Sequence, residues 1–229
     1  MTEETRGWGF RVLKRPHKVD EATVAQFRQL PVAIVSDSMS RMAAGGWRIR
    51  PMHAGGGFAG PALTVKTRPG DNLMVHKAID LAEPGDVLVV DAGGDLTNAI
   101  IGEMMAAHAV NRGIAGIVIN GAIRDSKAIG EASFPVYAAG VTHRGPYRHG
   151  PGEINVEVAI DGMVICPGDL VIGDDDGILA VPHRDARAIY EVAAAKKAEE
   201  DAVMAKILKG ANDRSWVDAE LARTPCRFA

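Results

Sequence analysis

The sequence predicts an α/β protein built around parallel strands, and three observations carry the prediction. The apolar run Val87 to Val90 enters the loop DAGGDLT, a helical stretch follows from about Asn98 to Asn111, and the β-branched run AGIVIN comes after Gly113. Strand, helix and strand in succession form a βαβ unit, which sets two strands side by side in parallel. Further on, INVEVAI, MVICPGD, LVIGDDD and ILAVP read as short strands split by Asp161-Gly162 and Asp176-Gly177, dipeptides that favour tight hairpins. A long helical stretch, roughly Arg184 to Lys209, closes the pattern.

The remaining elements follow in order. Met1 to Val19 is polar and irregular and reads as an arm. Asp20 is a helix cap, since its carboxylate accepts free backbone N–H groups, and the helix runs to about Leu30. Pro31 suits the first turn of a second helix, PVAIVSDSMSRMA, ended by Gly45 and Gly46. FAGPALTVKT becomes β-branched towards its end and reads as a strand stopped by Pro69 and Gly70. Asp71 caps the next helix, NLMVHKAIDLA, whose apolar positions leave one side buried. PVYAA is a further short strand, followed by a loop rich in Gly, His and Arg. PGD recurs at Pro69, Pro84 and Pro167, where Pro and Gly suit the central positions of a turn. Nothing reads as a linker between separate cores. The expectation is one domain over residues 1–229, with an arm at 1–19, a C-terminal helix at 184–210 and a polar tail at 211–229.

Composition narrows the function. Of 229 residues 47% are apolar and 24% charged, the proportions of a globular chain with a packed core, which excludes disorder as the main state. Lys and Arg number 26 against 29 Asp and Glu, a net charge of -3. A nucleic-acid partner is therefore not expected, because phosphate binding calls for a basic surplus. Two cysteines, Cys166 and Cys226, support neither a disulfide framework nor a thiolate zinc site. No apolar run approaches the ~20 residues of a membrane span, and the N-terminus lacks the apolar core of a signal peptide. A soluble cytoplasmic protein without membrane partners is the expectation.

Several motifs fail on context. GGGFAG, Gly55 to Gly60, satisfies GxGxxG by letter, but a strand follows it where the dinucleotide fingerprint needs a helix. No Walker loop, GxSxG elbow or HExxH occurs. His76 and His108 fall singly in helical stretches and read as packed or surface residues. Asp174 to Asp176 read as hairpin-turn residues.

Two segments combine unusual backbone with charge: DAGGDLTNAIIGEMMAAH after the first central strand, and GAIRDS after the second. Ligands collect outside the carboxyl ends of parallel strands, and the βαβ connection makes these two segments neighbours. Free amides at Gly102 to Met105 would suit an anion if the chain is irregular there. Arg124 adds a planar fork that grips a carboxylate with two bonds, and Asp125 with Glu103 supplies hard oxygen ligands for Mg²⁺. An anion grip beside a cation grip is what a 2-oxo acid needs.

GDNLMVHKAIDLAEPGDVLVVDAGG, GEMMAAHAVNRGIAGIVINGAIRD, FPVYAAG and PGDLVIGDDDGILAVP resemble the 4-hydroxy-4-methyl-2-oxoglutarate aldolase family, from about Leu30 to Gly210. These are metal-dependent class II pyruvate aldolases related to the RraA proteins that inhibit ribonuclease E. The resemblance implies a layered ββα sandwich of the swivelling-domain type, assembled as a homotrimer or homohexamer. It implies cleavage of 4-hydroxy-4-methyl-2-oxoglutarate or 4-carboxy-4-hydroxy-2-oxoadipate to pyruvate and a second oxo acid, in aromatic-compound catabolism, with oxaloacetate decarboxylation beside it. Position by position, it implies a pyruvate-binding loop at Gly102, Glu103, Met104 and Met105, a pyruvate-binding Arg124 and a metal-ligating Asp125. Glu103 would reach the metal through water. A further glutamate from a neighbouring subunit's C-terminal helix falls on Glu200 in preference to Glu199.

The implied reaction leaves an enolate, stabilised by Mg²⁺ or Mn²⁺ as Lewis acid and by Arg124, with water near Glu103 taking the C4 hydroxyl proton. Both metals favour oxygen ligands, so the choice stays open. A Schiff-base mechanism would instead need a buried lysine, with Lys66, Lys77 and Lys127 as candidates. The alternatives in function are a related enzyme acting on another small hydroxy or oxo acid, and an RraA-type protein-binding regulator. His143, Arg144, Tyr147, Arg148 and His149 form a basic loop that would meet a second carboxylate or pack between subunits.

Overall fold

The computed structural model describes residues 7–42 and 46–227. The predicted stop at Gly45 and the first six residues of the arm lie outside them. Asp20 caps as expected, its side chain accepting from the Thr23 amide at 2.8 Å, and α1 runs Glu21–Phe27. Helix α2, Val32–Ser38, follows Pro31 but stops before the predicted Gly45, because Ser40 and Arg41 both take left-handed φ values, 56° and 59°. The short strand β1, Arg50–Pro51, carried no sequence signal, and β2 is Phe58–Thr67, buried at every position but Lys66.

Helix α3 is Leu73–Leu81. Its cap position is Asn72 where Asp71 was expected, although Asp71 Oδ1 still accepts the Leu73 amide at 3.0 Å. After β3, Val87–Asp91, the predicted helix from Asn98 is corrected: its start is strand β4, Ala99–Ile101, and α4 covers only Glu103–Asn111. Strand β5, Gly116–Ile123, runs beyond AGIVIN because GAI continues the ladder. Then come α5, Ser126–Glu131, and β6, Val136–Val141.

INVEVAI is not one strand. Asn155 turns left-handed at φ 57°, so β7 ends at Ile154 (Gly152–Ile154) and β8 starts afresh (Val158–Ile160). Asp161-Gly162 does form the two-residue turn to β9, Met163–Ile165, with Ile160 opposite Met163. Strands β10, Leu170–Asp174, and β11, Gly177–Val181, turn one residue earlier than predicted, through Asp175 and Asp176. Helix α6 is Ala186–Leu208, and the polar tail carries a further helix, α7, Ser215–Leu221.

The main sheet has the order β1-β6-β5-β3-β2-β10-β11, with β2, β3, β5 and β6 parallel. Alternate residues of these strands face opposite layers, as the pleat demands. Leu88, Val90, Ile117 and Ile119 pack against α3, α4 and α5 through Val75, Ile79, Met105, Ala109 and Ile129. Val87, Val89 and Val118 pack against the β8–β9 hairpin and helices α1, α2 and α6 through Ile160, Ile165, Phe27, Val35 and Ala193. This is a layered α/β sandwich, and each buried Ile or Val side chain contributes about 2 kcal/mol. No helix among the described residues is long and apolar enough to cross a membrane.

The described part of the arm starts with a turn at Gly7–Phe10 and is then tied down. Val12 bridges to Ile154, Arg11 clamps Glu153 through Nε and Nη2 at 2.7 and 2.8 Å, and Arg15 Nη1 reaches Asp86 at 2.7 Å.

Candidate active site

All four parallel strands end at one edge, and β4 joins them there by pairing in parallel with β5, Ala99 opposite Ala122 and Ile101 opposite Ile123. That pairing brings the two charged segments together. Strand β5 delivers Arg124 and Asp125, β4 delivers Gly102 and Glu103, and the Arg124 amide donates to the Ile101 carbonyl at 3.0 Å. Asp125 sits at φ 55° and ψ 37°, a left-handed conformation that Asp tolerates better than most residues, and it turns the chain into α5.

The side chains are closely arranged. Asp125 Oδ2 accepts the Glu103 amide at 3.0 Å, and Arg124 Nε stands 3.7 Å from the same oxygen. The Arg124 and Asp125 side chains are 40% and 42% exposed. An exposed pair at that separation is weak, so the rest of the guanidinium fork is free to bind an anion. A Cβ at Gly102 would overlap Asp125 Oδ2 and stand 3.0 Å from Arg124 Cγ, so only glycine allows this approach.

The chain at Gly102–Met105 is a regular helix start, not the irregular loop expected. The first amides of a helix lack intrahelical partners. Asp125 takes the one on Glu103, and those of Met104 and Met105 follow it in the first turn. The side chains diverge: Glu103 is exposed, Met104 is 76% exposed, and Met105 turns into the core, where its Sδ accepts from Asn72 Nδ2 at 3.3 Å. Beside the pair lies an open cavity of ≈ 580 Å³, lined by Arg124, Asp125, Lys127, Glu131, Thr142 and His143. Glu200 does not line it in this chain. It lies on the exposed C-terminal part of α6 with its Oε1 3.7 Å from Lys196 Nζ.

The basic loop borders the site as well. A Cβ on Gly145 would stand 3.3 Å from Arg124 Nη1. His76 and His108 are both exposed, and partial loss of hydration together with the nearby Arg148 guanidinium lowers the His76 pKa from its ordinary value. Lys127, the Schiff-base candidate closest in sequence to Arg124, is 89% exposed and pairs with Glu131 at 4.0 Å, the opposite of the desolvated lysine that chemistry needs.

Among the described residues no group of three or more His, Cys, Asp or Glu side chains could hold a metal ion. One chain offers the Asp125 carboxylate at this cavity, while the Glu103 side chain lines a smaller neighbouring one and meets Asp125 through its amide. So small a protein share suits Mg²⁺ or Mn²⁺, which favour oxygen ligands and complete their shells with water. Asp125 fits such a role, because one oxygen is fixed by the Glu103 amide while the half-exposed carboxylate keeps lone pairs open.

Residues 32–180 match the family model RraA-like: Aldolase/RraA, a span that contains Gly102, Glu103, Arg124 and Asp125 and stops before α6. A Halalkalibacterium halodurans protein named "Putative 4-hydroxy-4-methyl-2-oxoglutarate aldolase" is 39% identical over 179 residues, which are 78% of this chain and 85% of that protein. Among solved structures, a Pseudomonas syringae pv. tomato protein aligns with a TM-score of 0.76 at 26% identity, covering 84% of this chain and 95% of its own. The RNA-processing inhibitor RraA from Thermus aligns with a TM-score of 0.62 at 29% identity, covering 67% and 93%. With its family-model match spanning the sheet and the paired Arg124–Asp125 edge, the chain belongs to the RraA-like, Aldolase/RraA family.

Proposed function

We propose that the protein is a divalent-metal-dependent pyruvate aldolase. It cleaves 4-hydroxy-4-methyl-2-oxoglutarate or 4-carboxy-4-hydroxy-2-oxoadipate to pyruvate and a second oxo acid, and decarboxylates oxaloacetate at the same site. The observation that carries this reading is the meeting of Arg124, Asp125 and the start of α4 at one strand edge, open to a cavity. The aldolase name of the relative from Halalkalibacterium halodurans supports it.

Arg124 would hold the substrate's C1 carboxylate with its free guanidinium donors, and the amides of Met104 and Met105 would face the negative charge that develops as the C3–C4 bond breaks. The proton leaves the C4 hydroxyl through a water to the exposed Glu103 carboxylate, C4 becomes a carbonyl, and the bonding pair stays on the pyruvate fragment as an enolate. Protonation at C3 completes pyruvate. A bound Mg²⁺ or Mn²⁺, held by Asp125 and through water by Glu103, would supply Lewis-acid withdrawal of electrons from the 2-oxo group. Oxaloacetate loses CO₂ to the same enolate and needs no base. A homotrimer or homohexamer in which a neighbouring subunit lends Glu200, and a cytoplasmic location, go with this reading.

The test is a lactate-dehydrogenase-coupled pyruvate assay with 4-hydroxy-4-methyl-2-oxoglutarate and with oxaloacetate, run with Mg²⁺ and with EDTA. Pyruvate release is expected to need the metal and to fall about 100-fold in Arg124→Ala and in Asp125→Ala. Release that ignores chelator and both substitutions contradicts the proposal. Arg144→Ala and Arg148→Ala are expected to raise KM for dicarboxylic substrates such as the aldol substrate more than for short ones. Unchanged constants for both would remove the basic loop from substrate recognition.

A further inference from the structure

The Asp71 carboxylate is wholly buried. A buried carboxylate is tolerated only when its oxygens are saturated with donors, and Asp71 has four from three segments. Oδ2 accepts the His149 and Gly150 amides at 2.9 Å each and Arg68 Nη2 at 3.3 Å, while Oδ1 accepts the Leu73 amide at 3.0 Å. Helix capping accounts for one of these bonds. Two others are spent on the far end of the basic loop, residues 142–150.

That loop is stapled elsewhere too. The Tyr147 amide donates to the Gly70 carbonyl at 2.8 Å, the Asn72 amide to the Tyr147 carbonyl at 3.0 Å, and the Ala99 amide to the Arg144 carbonyl at 2.9 Å. Its opposite side is the candidate site, where Thr142 and His143 line the cavity and Gly145 abuts Arg124. The next residue extends the junction: Asn72 Nδ2 donates to the Ile100 carbonyl at 2.9 Å and to Met105 Sδ, across the β4–α4 connection. Arg124 and Asp125 are held separately, by the Arg124 amide on Ile101 and the Glu103 amide on Asp125.

The geometry points to Asp71 as a positioning residue that fixes the loop facing the distal part of the substrate, a role that rests on the aldolase reading. Asp71 touches no reacting atom. It acts through the backbone of His149 and Gly150, so its loss relaxes the loop wall of the cavity and leaves the pyruvate end intact. The longer aldol substrate, whose second carboxylate reaches further from the pyruvate end, suffers most, and oxaloacetate, whose second carboxylate lies one carbon nearer and leaves as CO₂, suffers least.

Two variants test this in the intact protein. Asp71→Asn changes the carboxylate alone. Asp71→Ser keeps an acceptor for the Leu73 amide at the helix start but cannot span to the loop. Both are assayed with 4-hydroxy-4-methyl-2-oxoglutarate and with oxaloacetate, alongside amide hydrogen exchange. KM for the aldol substrate is expected to rise about tenfold with oxaloacetate turnover within about twofold, and amides of residues 142–150 should exchange faster while those of β5 do not. The unchanged oxaloacetate rate reports that the variants are folded. A proportional loss on both substrates, or no change in either the KM ratio or the loop's exchange, overturns this role. Wild-type protein that releases pyruvate from neither substrate defeats the aldolase reading, and this role with it. Active wild-type protein with an unmoved KM ratio in both variants defeats this role alone.

Discussion

Gly102→Ala is expected to lower pyruvate release by about two orders of magnitude while leaving thermal unfolding within a few degrees of wild type. The backbone there, φ -143° and ψ -167°, is extended and open to any residue, so no strain arises from the alanine itself. The whole effect comes from one methyl group, which would occupy the space of Asp125 Oδ2 and press on Arg124 Cγ at 3.0 Å. Asp125 must swing away and release the Glu103 amide, which displaces the Asp125 carboxylate and the Arg124 guanidinium of the proposed site together. Both are partly exposed, so they move at little cost to the core. The coupled pyruvate assay and a melting curve on one preparation check this. Wild-type turnover in the alanine variant would mean that catalysis does not use Asp125 where it stands.

Arg15→Ala is expected to cost about 3 kcal/mol of stability, a large share of the roughly 5–15 kcal/mol typical of a domain. Asp86 is 1% exposed, its Oδ1 meets Arg15 Nη1 at 2.7 Å, and its Oδ2 accepts the Glu83 amide at 2.9 Å. Removing the arginine leaves a buried carboxylate without its counter-charge, the costly half of breaking such a pair. Urea unfolding at neutral pH reads the loss, and the activity of the folded fraction should not change. A cost below about 1 kcal/mol would show that water or Lys18 substitutes for Arg15 and that the arm merely lies on the surface. Arg15 sits in a stretch that the sequence marks only as polar and irregular.

The strands and helices that came through as read are those whose apolar pattern stands out locally. FAGPALTVKT is β2 end to end, VLVV extends by a single residue, and Asp161-Gly162 turns the β8–β9 hairpin. Strand β4 was not legible. Ala99, Ile100 and Ile101 are apolar in succession, a pattern that suits a buried helix turn as well as a short strand, and only pairing with β5 decides between them. The Asn155 break and the Ser40–Arg41 stop are left-handed backbone positions at non-glycine residues, which tertiary contacts select and residue type scarcely announces.

At the candidate site, residue order alone singled out Glu103, Arg124 and Asp125, because charge beside glycine at the ends of two parallel strands is chemically conspicuous. It did not tell Met104 from Met105, one outside and the other in the core, nor that Glu103's amide would meet Asp125.

The sequence by itself determined the βαβ frame, the parallel edge and the identity of the charged groups placed there, since hydrophobic period and turn chemistry act between near neighbours. Only the tertiary structure decided that Gly102 makes room for Asp125, that Asp71 binds a loop some eighty positions away, and that Arg15 neutralises Asp86. Each of these is a contact between distant segments, set by how layers pack and how buried polar atoms find partners, and no local pattern encodes it.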